Sequence, residues 1–276
     1  MANAIPFHDF GGEGPLLHFA HPNGYTPATF RQMIEPLLPH YRVIAVCHRP
    51  LWPGSRPQEV ESWRVVADDM LHFLEQQGVP DVIGVGHSLG AVATMYAALA
   101  RPQLWRRLVF IEPIFLPPPL LQAVAADPSV MDNFPLVRNT YNRRYRWPHR
   151  QAAFDHFRPK EVFRYWSDEA LWDYVNHSLH EDETGDVVLT YAREWEAHFY
   201  KLPPLDVWQR VPTISQPLLA IRGADSDSLF PEAWQRWQEL QPQATFVEIA
   251  KAGHMVPLER PQKVAQHILN FLHRST

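Results

Sequence analysis

Six short apolar runs punctuate this chain, at residues 16–20, 43–47, 82–86, 108–111, 218–222 and 245–249, and helix-patterned stretches stand between most of them. Each run is nearly continuous in hydrophobicity. That marks a strand covered on both faces, and hence a parallel sheet. Between them the pattern switches to helical spacing. From about 60 to 77, Val60, Trp63, Val66, Met70, Phe73 and Leu74 share one face, and Gly78 supplies a stop. Thr26-Pro27 opens an earlier helix, and residues 89–100 form one directly after Ser88. Pro261 begins the last, with Val264, Ile268 and Leu272 four residues apart. Strand–helix alternation of this kind predicts an α/β fold with a doubly wound, mostly parallel sheet.

The alternation breaks after residue 115. Residues 116–205 open with Leu-Pro-Pro-Pro, are rich in aromatics and Arg, and carry no strand run. They read as a helical cap inserted between two parts of one core, 1–115 and 206–276, lying over the carboxyl edge of the sheet where open α/β sheets bind ligands. The 276 residues suffice for one catalytic domain with such a lobe. The net charge of −5 offers nothing to nucleic acid or anionic lipid. Cys47 is the single cysteine, which excludes an internal disulfide and suits a reducing compartment. The first residues lack the basic and apolar regions of a signal peptide, and no run is long enough to span a bilayer. The expectation is a cytoplasmic protein acting on a small molecule.

Gly86-His87-Ser88-Leu89-Gly90 lies between the 82–86 run and the helix that follows. A serine on so sharp a turn is lifted above the sheet, and flanking glycines let strand and helix approach. The position also sits at a helix N-terminus, where the Leu89 amide is aimed to bind an oxyanion. A serine hydroxyl needs a base. His254 is the candidate, in a loop between the last strand run and the last helix. His87 is expected to point away from the hydroxyl, and most other histidines to be solvated. His177 and His180 have helical metal spacing, but with Glu181, Asp182 and Glu183 beside them they read as a charged surface. The orienting carboxylate is open among Asp225 and Asp227, after the 218–222 run, and Glu112, at the end of the 108–111 run, which reads better as pocket floor. A second oxyanion donor is expected after the 16–20 run, in His21-Pro22-Asn23-Gly24-Tyr25, at the Asn23 amide.

These segments resemble the α/β-hydrolase superfamily over nearly the whole chain: the Gly-His-Ser-Leu-Gly elbow, the Arg222-Gly-x-x-Ser-Asp227 segment and the Lys251-Ala-Gly-His-Met-Val-Pro257 tail. The resemblance assigns the third triad position to Asp227. The His21-Pro-Asn-Gly-Tyr25 loop is similar to a His-x-Asn-Gly-Phe variant of the superfamily's His-Gly-x-Pro oxyanion loop. After residue 47, His-Arg-Pro-Leu-Trp-Pro-Gly-Ser stands where many relatives have Asp-x-x-Gly-x-Gly-x-Ser. Ser88 at the elbow argues against the dehalogenases and epoxide hydrolases of the superfamily, whose nucleophile is Asp. The resemblance implies a cofactor-free and metal-free serine esterase with Ser88, His254 and Asp227 as triad and Asn23 and Leu89 as oxyanion donors. The same triad also serves C–C hydrolases and perhydrolases or haloperoxidases, and non-catalytic binding proteins share the fold.

Overall fold

The computed structural model describes residues 4–273. Its main sheet has seven strands: β1 (Phe7–Gly11), β2 (Leu16–Ala20), β3 (Arg42–Val46), β4 (Val82–His87), β5 (Trp105–Ile111), and, after a long insertion, β9 (Leu218–Gly223) and β10 (Thr245–Ile249). Their spatial order is β1-β3-β2-β4-β5-β9-β10. All neighbours are parallel except β1, which pairs antiparallel with β3. Each apolar run of the sequence is one of these strands. Alternate residues bury on opposite faces, as a two-sided sheet requires. Leu108 and Phe110 join the cluster that covers one face, while Val109 and Ile111 join the other. The helices Arg64–Gln76 and Leu89–Ala100 contribute to the first cluster and Pro261–Leu272 to the second. Strand β1 is not an apolar run. It is an edge strand, with Phe7 45% exposed, so burial leaves only a weak imprint on its sequence.

The insertion between β5 and β9 departs from the expectation of a helical segment with no strand. Beside the helices Pro118–Ala126, Pro135–Asn142, Arg150–Phe157, Asp168–His177 and Arg193–Tyr200 it holds a small antiparallel sheet. Its strands are β6 (Arg146–Trp147), β7 (Leu179–Glu181) and β8 (Val187–Leu189), in the order β6-β8-β7. Strands of two and three residues are too short to show as apolar runs. The tight connection from β7 to β8 comes from Asp182, whose Oδ1 accepts from the Thr184 and Asp186 amides, and from Gly185 at φ 83°. The Asp168–His177 helix stops at His177, so His177 and His180 never share a helical face; the His180 ring bonds Thr190 instead. The insertion is tied to the core near Thr26. Arg31 pairs with Asp173 at 2.6 Å, and the Thr29 and Ser178 hydroxyls lie 2.7 Å apart. Among the described residues no helix is long and apolar enough to cross a membrane.

Candidate active site

Three strands end side by side. His87 of β4 is in register with Ile111 of β5, which is in register with Ile221 of β9. The next residues, Ser88 and Glu112, leave their strands at φ 57° and 48°. Positive φ is strained for a residue with a side chain, and such strain concentrates at functional sites. Neighbouring strands hold both in place: the Ser88 amide donates to Ile111 O at 3.0 Å and the Glu112 amide to Ile221 O at 2.9 Å. Close approach demands the glycines of the elbow. A Cβ on Gly86 would stand 2.5 Å from Ala91 Cα, and one on Gly90 would collide with the backbone of Ala20 and His21. The second contact brings the loop after β2 against the start of the Leu89–Ala100 helix, so the Asn23 and Leu89 segments meet beside Ser88.

His254 bridges the two strained residues. Its Nε2 is 3.0 Å from Ser88 Oγ and its Nδ1 is 3.1 Å from Glu112 Oε2. Glu112, fully buried, also accepts from the Gly223 amide at 2.7 Å and the Ser226 hydroxyl at 2.6 Å. An ionised carboxylate only accepts, so Nδ1 carries the imidazole proton and Nε2 is free to accept from Ser88. This corrects the expectation for Asp227. The β9 loop curls so that Ser226 points inward to Glu112, while Asp225 and Asp227 are both exposed. Asp227 bonds the neighbouring Ser228 hydroxyl, and Asp225 accepts from Tyr165 at 2.6 Å. The carboxylate that reaches the imidazole comes from the end of β5.

The base has further support that the motifs did not reveal. His87 is buried, and its Nε2 lies 2.9 Å from the His254 carbonyl, which pins that loop. Burial holds the His87 ring well below the usual imidazole pKa, so it stays neutral and donates. The Gly253 amide donates to Glu259, whose carboxyl is pushed up to about 7 by burial. On the oxyanion side the Asn23 side chain is engaged at both ends: its amide donates to Glu196 O at 2.9 Å and its oxygen accepts from Tyr191 at 2.7 Å. The Asn23 backbone amide stands next to Gly24, at φ 84°. The Leu89 amide opens a helix and has no preceding turn to bond. His21 braces the same loop, its Nδ1 3.0 Å from Pro22 O and its Nε2 accepting from the His48 amide at 3.1 Å.

Ser88 and His254 open into a cavity of about 390 Å³ under the insertion. Tyr25 lines it, with Phe157 and Phe163 of the insertion. His48 is buried behind His21, Phe115 sits in the core, and Trp52 bonds Cys47 O outside the cavity. No cluster of three or more His, Cys, Asp or Glu side chains able to hold a metal ion occurs among the described residues.

A buried serine on a strand–helix turn, relayed through an imidazole to a carboxylate at a parallel sheet's carboxyl edge, defines a hydrolase-type site. Residues 19–267 match the Alpha/beta hydrolase family, and the chain belongs to it. It is 22% identical over 251 residues to the uncharacterized hydrolase YugF of Bacillus subtilis, covering 88% of this chain and 85% of that one. It is 24% identical to the 2-(acetamidomethylene)succinate hydrolase of Mesorhizobium japonicum, covering 95% and 89%. A crystal structure of E-2-(acetamidomethylene)succinate hydrolase superposes with a TM-score of 0.79 at 22% identity, over 98% of this chain and 95% of that one. A structure from work on carboxylesterases of the thaumarchaeon Nitrososphaera gargenis gives 0.73 at 17%, over 99% and 96%. These likenesses place the fold among hydrolases.

Proposed function

We propose that the protein is a serine hydrolase of carboxylic esters. The carrying observation is the continuous relay from Ser88 Oγ through His254 to Glu112 at the floor of a closed-over cavity. Ser88 attacks the acyl carbon while His254 Nε2 takes its proton. Glu112 holds the tautomer and stabilises the imidazolium that forms. The Leu89 and Asn23 amides receive the oxyanion. The imidazolium then protonates the leaving alcohol, and water, activated by the same ring, resolves the acyl-enzyme. The chemistry calls on neither metal nor cofactor. Residues 116–205 act as the cap that excludes bulk water and shapes the substrate. Esterase, and a hydrolase named for a small acid substrate, among the similar proteins agree with this reading. The test is hydrolysis of p-nitrophenyl butyrate. Ser88→Ala is expected to lower kcat by at least about four orders of magnitude, and a fluorophosphonate probe is expected to label only the unsubstituted enzyme. Retention of activity by the alanine variant refutes the proposal.

A further inference from the structure

The cavity above Ser88 is lined by three cations, Arg143, Arg144 and Lys160, against two carboxylates, Glu196 and Asp227, in a chain of net charge −5. Arg143 follows the Pro135–Asn142 helix and pairs through Nη2 with Glu196. That pair lies against the oxyanion loop: the Glu196 carboxylate sits where a Cβ on Gly24 would be, and its carbonyl holds Asn23. Three tyrosines that line the cavity, Tyr25, Tyr174 and Tyr200, surround the guanidinium, and Tyr200 bonds Glu196 at 3.1 Å.

A purely structural strut between two helices would be expected to use its donors fully. Arg143 does not. Its Nη2 is taken by Glu196, but its buried Nε makes no hydrogen bond, and the side chain keeps 28% of its surface open. A buried guanidinium left short of acceptors is costly. The other two cations have no carboxylate partner among the described residues. Arg144 Nε donates to Arg146 O, and the Lys160 ammonium meets only the His156 ring, 2.7 Å away, and the Phe157 face. Burial first, and then repulsion from Arg143 and Arg144, lower the Lys160 pKa. The three positive groups therefore share one field, and a small anion entering the cavity would relieve it.

We infer, on the ester-hydrolase reading above, that the substrate bears a carboxylate that docks on Arg143 and Lys160 while its scissile carbonyl lies over Ser88. Apolar Phe157 and Phe163 then cover the carbon skeleton between the two ends. The protein would thus act on a small acid's ester rather than a neutral lipid.

The experiment compares matched esters at low salt: mono-p-nitrophenyl glutarate with p-nitrophenyl butyrate, for a carboxylate on the acyl side, and (4-acetoxyphenyl)acetate with 4-ethylphenyl acetate, for one on the alcohol side. The anionic member of one pair should show a kcat/KM about tenfold to a hundredfold above its neutral partner. The preference should fall to near unity in an Arg143→Gln/Glu196→Gln double variant, which removes both charges so that neither is stranded. Lys160→Met, at an exposed position that tolerates change, should cut it at least about threefold. Neutral esters turned over with no preference for the anion in either pair overturns this inference and leaves the esterase reading standing. If no ester is turned over, the esterase reading falls and glutarate binding decides. A rise in Tm with added glutarate that Lys160→Met diminishes supports the anion site, and no rise overturns it.

Discussion

Glu112 and Asp227 lie on adjacent strand ends, and what separates them is which way each loop turns. The motif Arg-Gly-x-x-Ser-Asp records spacing, and spacing is silent on whether the loop presents its serine or its aspartate to the interior. Here Ser226 goes in and becomes a donor to Glu112. Glu112 was visible in the sequence as a carboxylate ending a strand run, but nothing in the residue order reveals its positive φ. Glu112→Gln should leave the relay's shape and lose its tautomer control, because the amide nitrogen cannot accept from Nδ1. A fall in kcat of about 10³- to 10⁴-fold on p-nitrophenyl butyrate is expected, against less than about threefold for Asp227→Asn. Comparable losses in the two variants would return the role to Asp227. Glu259 gives a second residue-level expectation. Its carboxyl is raised to about 7, so its contribution to stability is full below the unfolded value near 4.5 and is lost as pH rises through 7. Glu259→Gln still offers the Gly253 amide an oxygen. Its midpoint in urea relative to the parent should therefore improve from pH 5 to about pH 7 and then level off; a pH-independent difference would show that folding does not raise this carboxyl's pKa.

At the scale of elements, the strands buried on both sides were the legible part. A strand that is apolar along nearly its whole length announces itself, and β2, β3, β4, β5 and β9 do; β10, the other edge strand, is read from Phe246, Val247 and Ile249 although only Ile249 is buried. The edge strand β1 and the three short strands of the insertion do not, because partial exposure and two- or three-residue length leave no periodicity to read. The elbow was legible for another reason: its chemistry depends on backbone contact that only glycine permits. Gly86→Ala tests this. The added Cβ would stand 2.5 Å from Ala91 Cα and Gly90 O, both backbone atoms that cannot rotate away, so strand and helix must separate. A loss of about 1–3 kcal/mol in chemical denaturation is expected, with kcat falling as well because the separation moves Ser88 relative to His254. A variant of unchanged stability would mean that β4 and the helix have slack the packing does not display.

Taken as a whole, the molecule carries a stability that its charge count does not disclose. Of its histidines, His18, His21, His48 and His87 are buried, although the sequence favoured solvated roles for most of the fifteen. The signal was present: all four stand within or directly after apolar runs, where a side chain has little route to water. Each is held neutral by what surrounds it. His18 accepts from the Val46 amide and His21 from the His48 amide, while the His21 and His48 rings stack at 3.6 Å. Burial carries His18 down to about 3 and His21 to about 4, with His48 and His87 also well below the usual value. Below pH 6.5 the unfolded chain binds protons at these four sites that the folded chain refuses, so the stability they provide is full above 6.5 and declines as pH falls. One such proton is worth about 1.4 kcal/mol per pH unit, and four approach about 5. Glu259 works in the opposite direction, since its contribution declines as pH rises from about 4.5 to 7, but one carboxyl offsets only about one of the four rings. The midpoint of urea unfolding should drop steeply between pH 6.5 and 5.5, a window above the titration of ordinary carboxylates, and a midpoint that stays level there would contradict the neutral state of these four rings. Three of them support the loops that present Asn23 and His254, so the same acid step should weaken the site's framework together with the fold.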